Sequence, residues 1–173
     1  LLSGLLFYLF AFSHFSLAQE TKPSATIAYE KGLLPVHNYS SKAYKSAPQN
    51  WAIQQDKRGV IYIGNNEGIL EYDGVSWRLI KVTNKTNVRS LCIDSKGRIF
   101  VGADGEIGFM EPDISGKMGY QSLLKHIDKK DLGFTDVWSS LSAKNGVYFQ
   151  TEYKIFRWDG KKMKVWNAGV SFH

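Results

Sequence analysis

WAIQQDKRGVIYIGNNEGILEYDG, residues 51–74, is the stretch that decides the fold. It recurs, altered, as RSLCIDSKGRIFVGADGEIGF at residues 89–109 and as WSSLSAKNGVYFQTEYKIFRWDG at residues 138–160. Aligning Gly59, Gly97 and Gly146 spaces the copies by 38 and 49 residues, the period of a four-stranded propeller blade. Asp56-Lys-Arg-Gly59 and Asp94-Ser-Lys-Gly97 open a tight turn with Asp and close it with Gly; Ala143-Lys-Asn-Gly146 does so without the acid. A short apolar run follows each turn, at 60–63, 99–101 and 147–149, as suits a strand covered on both faces. A third strand ends on Tyr72-Asp73-Gly74 or Trp158-Asp159-Gly160, where Asp-Gly favours a hairpin. A fourth carries Trp77 to Val82, or Met163 to Trp166.

The expected fold is therefore all-β: three four-stranded blades of an incomplete β-propeller, at 50–82, 88–123 and 137–166, with 167–173 starting a further blade. Residues 121–130 make at most a short helical excursion. Propellers close with about 4 to 8 blades, so the chain reads as a truncated piece. Its two uncovered sheet faces should drive aggregation or oligomerisation.

Composition agrees. In 173 residues there are 22 Lys and Arg against 16 Asp and Glu, net +6, and the aromatic share of 14% suits pleated surfaces. The single Cys92, in Leu91-Cys92-Ile93, excludes an internal disulfide and any zinc site of paired thiolates, and reads as a small buried apolar residue. His14, His37, His126 and His173 have no metal-ligand spacing, so no metal or cofactor is expected. Residues 1–18 carry no Lys, Arg, Asp or Glu, and an apolar run at 5–12 leads to Ser16-Leu17-Ala18. This is a signal peptide lacking its n-region, cleaved after Ala18; it is shorter than the ~20 residues of a membrane span. An uncleaved anchor or a core helix is the alternative. Residues 19–49 form a lead-in segment to the blades. Asn38-Tyr39-Ser40 and Asn84-Lys85-Thr86 fit the glycosylation acceptor pattern, relevant only in a eukaryotic host.

The pattern W-A-I-x-x-D-x-x-G-x-I-Y-I-G-x-x-x-G-I-L-x-Y-D-G at 51–74 resembles the two-component regulator propeller repeat. Gly32-Leu-Leu-Pro35-Val-His-Asn-Tyr39 and Gln49-Asn50-Trp51 are similar to the segment preceding the blades in Bacteroidetes-type sensors. The likeness covers roughly residues 31 to 166 and departs in the second copy, where Met110-Glu111-Pro112-Asp113 replaces Tyr-Asp-Gly. It implies seven-bladed propellers in an exported ectodomain. A three-tyrosine domain, a transmembrane helix and a cytoplasmic output, commonly a histidine kinase, would follow. It also implies a periplasmic module of a receptor anchored in the inner membrane and dimeric at full length, whose catalytic output lies outside this chain.

In an up-and-down blade, the turns between second and third strands share one end with the inter-blade connections. That end should hold Asn65, Asn66 and Glu67, then Asp104, then Glu152. The repeat offsets carry Trp51 to Arg89 and Arg89 to Trp138, placing all three at the start of an innermost strand near the channel mouth. Aromatic faces and a forked Arg donor suit a sugar ring or an anionic oligosaccharide. The alternative is that Trp51 and Trp138 fill the wedge between neighbouring blades. Asp104 and Glu106 read as solvated turn charges, and Asp56 and Asp94 as turn-formers accepting local N–H bonds. Lys129-Lys130 and Lys161-Lys162-Met163-Lys164 read as a solvated basic face, with attraction to an acidic glycan open; export argues against nucleic acid. The function expected is ligand sensing without catalysis in this region, the ligand an oligosaccharide or another extracellular molecule and the structural partners the remaining blades. A secreted propeller enzyme acting on polysaccharide, or a protein-interaction scaffold, are the competing readings.

Overall fold

Short strands joined by tight turns organise the described residues into three separate meanders. The computed structural model describes residues 36–172; the expected signal peptide, most of the lead-in segment and His173 lie outside the described residues. Residues Asn38–His173 form a unit of their own. The first sheet is β1 (Asn50–Gln55), β2 (Ile61–Asn65), β3 (Gly68–Tyr72) and β4 (Trp77–Ile80). The second is β5 (Val88–Ile93), β6 (Ile99–Ala103), β7 (Glu106–Pro112) and β8 (Met118–Ser122). The third is β9 (Ser139–Ala143), β10 (Gly146–Gln150), β11 (Lys154–Trp158) and β12 (Met163–Asn167). Each is four-stranded, antiparallel and in sequence order. Two 3-10 turns, Leu124–His126 and Lys129–Asp131, supply the short helical excursion between the second and third sheets. A one-turn helix, α1 (Ser41–Tyr44), lies beside β4.

The sheets meet through their innermost strands, β1 against β5 and β5 against β9, and side chains fill two layers between them. Tyr62 and Ile69 pack with Leu91, Ile99, Val101 and Met110 between the first and second sheets. Cys92, Phe100 and Ile107 pack with Val147, Phe149, Phe156 and Trp158 between the second and third. Burial pushes the Cys92 thiol up to about 12, with the Asp94 charge adding to it, so the sulfur stays a protonated, inert core atom. Close approach of one sheet to the next needs glycine on the second strand. A Cβ at Gly102 would overlap Ser90 Oγ and Val137, and one at Gly64 would lie 2.9 Å from the Val88 carbonyl oxygen.

The hairpins settle the register of the third repeat differently from the glycine alignment. Gly59 and Gly97 close turns on Asp56 and Asp94 with φ of 85° and 82°, a conformation that glycine adopts at little cost. Gly146 instead pairs with Ala143 across the two-residue turn Lys144-Asn145, with φ of 138°. The third inner hairpin is one residue shorter. Ser139 stands where Ser90 stands, 49 residues on, but Gln150 takes the place of Gly102, 48 residues on. Ala143 keeps the place of Asp56 and Asp94, and the deletion shortens the loop after it from three residues to two.

Candidate functional site

The end of the sheets that carries the connectors is built by backbone bonds from the second-to-third-strand turns of the first two sheets to the segments that lead into an innermost strand. Asn66 N–H donates to Gln49 O, Asp104 N–H to Asn87 O, and Gly105 N–H to Thr135 O. At this end β1 and β5 carry the same irregularity. Asn50 pairs with Asn65 and Ala52 with Gly64, leaving Trp51 as an extra residue; Val88 pairs with Ala103 and Ser90 with Gly102, leaving Arg89. Such bulges re-aim one side chain out of the sheet's alternation. Trp138 lies one residue before β9, in the corresponding place.

The three side chains converge. The Arg89 guanidinium carbon sits 3.8 Å from the centroid of the Trp51 ring and 5.0 Å from that of Trp138. The indoles are 6.3 Å apart at 73°. The cation lies between two π faces, an arrangement worth ~0.5–2 kcal/mol per pair according to exposure. Its fork is already occupied: Nε donates to Asp136 Oδ1 at 2.7 Å and an Nη to Asp136 Oδ2 at 3.4 Å. With side chains 13% and 21% exposed, this pair is sheltered from solvent, and the remaining Nη is buried without a hydrogen-bond partner. Anion capture by the Arg89 fork, one of the chemistries expected from sequence, is thus pre-empted by Asp136. What faces outward is aromatic: Trp51 is 39% exposed and Trp138 51%.

The other expected site residues divide. Asn66 joins the cluster, its Oδ1 accepting from Trp51 Nε1 at 2.7 Å and its Nδ2 donating to Gln49 Oε1 at 3.3 Å. Asn65 does not, being wholly buried and committed to the lead-in segment. Its Nδ2 shares two hydrogens among three acceptors at 2.7–3.0 Å, Ala47 O, Gln49 O and Asn50 Oδ1, and its Oδ1 accepts from Ser46 Oγ and the Glu67 N–H. It is a staple for the chain entering β1 and has no group left for a ligand. Glu67 is exposed and accepts from Ser46 Oγ at 3.4 Å. Asp104 lies in its turn, its carbonyl accepting from Asn84 Nδ2 and Thr86 Oγ1. Glu152 is exposed beside a cleft of about 220 Å³ lined by Phe134, Thr135 and Tyr153. Glu106, expected to be a solvated turn charge, is 1% exposed and accepts from Ser122 Oγ; the register of β7 turns it inward.

Asp136 escaped the sequence reading although the repeat contains a signal for it. Counting back two residues from Trp51, Arg89 and Trp138 gives Gln49, Asn87 and Asp136, polar in all three copies. Among the described residues no group of three or more His, Cys, Asp or Glu could hold a metal ion, and no helix is long and apolar enough to cross a membrane.

No protein-family model and no curated protein matches the chain. Among solved structures it is similar to a streptogramin B lyase, a β-propeller, at 15% identity and a TM-score of 0.50, over 72% of this chain and 43% of the other. The chain thus spans less than half the length of that protein. At such identity the likeness shows the fold alone: this is a propeller-repeat chain, all-β, with three four-stranded antiparallel sheets.

Proposed function

We propose that these sheets are the ligand-sensing propeller module of an exported, membrane-anchored signal-transduction regulator of the two-component sensor type. In this reading the region is non-catalytic, and further sheets of the same propeller continue from the third. The full-length receptor is dimeric and periplasmic, with its output chemistry elsewhere. The observation that carries the ligand-binding part is the convergence of Trp51, Arg89 and Trp138 from three repeats onto one point, with both indoles open to solvent.

Because Asp136 fills the guanidinium fork, the ring faces are what remains to a ligand. They suit a pyranose ring stacking its C–H face on Trp138, with the Arg89–Asp136 pair holding the indoles in place rather than touching the sugar. Calorimetric titration with neutral and with uronic-acid oligosaccharides tests this. Neutral sugars should bind, and Trp138→Ala should weaken them roughly tenfold. Binding confined to the uronic series, or indifferent to both Trp51→Ala and Trp138→Ala, would overturn the reading.

A further inference from the structure

The end of the sheets opposite the connectors gathers all six remaining hairpin turns, between the first and second and between the third and fourth strands of each sheet. They lie side by side. Asp56–Arg58 and Lys96–Ile99 wall one groove of about 320 Å³; Asp94–Lys96, Arg98, Lys144 and Asp159 wall the next, of about 290 Å³. We propose that this hairpin end is a docking surface for an anionic phospholipid bilayer.

Two kinds of residue argue for it together. The first is charge. The turns hold eight cations against five aspartates, an excess of three positive charges, and each aspartate is turned onto the backbone of its own turn. Asp56, Asp73, Asp94, Asp113 and Asp159 each accept two backbone N–H bonds of their own turn through one carboxylate oxygen. Arg58 and Arg98 pair with Asp56 and Asp94. Lys57, Lys96, Lys117, Lys144, Lys161 and Lys162 are exposed and belong to none of the ion pairs among the described residues. Ammonium groups gathered at one end of the sheets are what an anionic lipid surface attracts.

The second is the pair of aliphatic tips. Val75 and Ile114, on the outer turns of adjacent sheets, are 91% and 108% exposed, projecting apolar surface among the lysines. A soluble polyanion would use the lysines and leave these side chains in water. A bilayer interface takes both, the cations at the headgroups and the aliphatic tips among the upper acyl carbons. Single-stranded nucleic acid would want exposed ring faces for stacking, whereas the aromatic rings of these grooves, Phe100 and Trp158, are buried in the floor.

Residues 5–12 are apolar in their own right, so vesicle binding by the whole chain would not test the surface; a reporter at a defined position does. An environment-sensitive dye is placed on Ile114→Cys of the full chain, with Cys92 buried, and on Lys125→Cys at the connector end as the comparison. With vesicles of phosphatidylcholine mixed with phosphatidylglycerol, the dye at 114 should brighten and shift to the blue while that at 125 stays aqueous. Lys57→Gln, Lys96→Gln and Lys144→Gln combined should lower the lipid partitioning of the 114 reporter roughly hundredfold. The proposal is overturned if the 114 dye does not respond, responds no more than the 125 dye, or responds equally to pure phosphatidylcholine. It is overturned too if the triple variant loses nothing. An equal response to dextran sulfate or single-stranded DNA would make the face a soluble-polyanion site instead.

Discussion

The first and third sheets each turn one face away from the second, and the two faces are finished in opposite ways. On the first sheet the register puts Ile53, Ile63, Leu70, Tyr72 and Trp77 on that side. The lead-in segment covers much of it. Trp77 stacks on Tyr72 at 4.4 Å and meets Tyr39 and Tyr44 edge-on or tilted at 5.3 and 5.6 Å, and Leu70 is wholly buried. On the third sheet nothing comparable is described. Leu141 is 63% exposed, and Trp166, at the surface, stacks on the half-buried Tyr148 at 6.4 Å. Arg157 and Lys164 sit directly opposite each other across β11 and β12. Like charges so placed repel, and Arg157 Nε is buried without a partner.

The equivalent spot on the first sheet shows what such a face looks like when a neighbour is seated on it. There Glu71 holds Arg78 through two nitrogens at 2.8–3.1 Å, and the other Arg78 nitrogen donates to Met118 O of the second sheet. The third face has the cations without the acid, and Gln150 where the occupied faces have Gly64 and Gly102. A neighbour there would supply a carboxylate and stand further off at the inner strand.

Substitutions test whether the two faces differ in this way. The largest effect belongs to an occupied interface: Phe149→Ala should cost about 4 kcal/mol in denaturant unfolding, while Leu141→Ala on the open face stays within about 0.5 kcal/mol. Equal costs would mean the third face is covered in solution. Next, Trp77→Ala should destabilise by about 3 kcal/mol and open residues 38–49 to limited proteolysis; an unchanged digestion pattern would show that the lead-in segment is held by the Asn65 staple alone.

The hairpins provide a third test. Burial pushes the Asp56 carboxyl up, but the bonds from the Arg58 side chain and from the N–H groups of Arg58 and Val60 outweigh it and hold it low. A carboxyl lowered in the folded state stabilises above its unfolded value near 3.9, and that stability fades as pH falls through the folded value. Asp56→Ala should therefore cost about 2 kcal/mol at neutral pH and flatten the acid limb of the stability curve. The third hairpin, with Ala143 at its opening, has no such dependence to lose. The smallest effect is a gain: Arg157→Glu, by pairing with Lys164, should raise stability by about 0.5 kcal/mol, detectable as a higher midpoint in urea.

Much of this was open to a reader of the sequence because it is written in local chemistry. Asp-x-x-Gly and Asp-Gly pairs declare their turns, and the offsets that carry Trp51 to Arg89 to Trp138 survive a one-residue deletion because it falls in the hairpin beyond them. What was not open depends on partners distant along the chain. Asn65 looks like a solvent-facing turn residue until its bonds to Ser46, Ala47 and Gln49 are known. Glu106 looks solvated until β8 brings Ser122 over it. Arg89 looks like an anion fork until the connector before β9 delivers Asp136, 47 residues on.

By itself, then, the sequence determined the strands, their turns and the threefold repetition, since backbone conformation and period follow from which residues tolerate a turn and which alternate. Only the tertiary structure decided which polar groups remain free, which faces are covered and which cations stand without acids. Those outcomes depend on what packs against a side chain, and burial is a property of the assembled sheets, not of any one repeat.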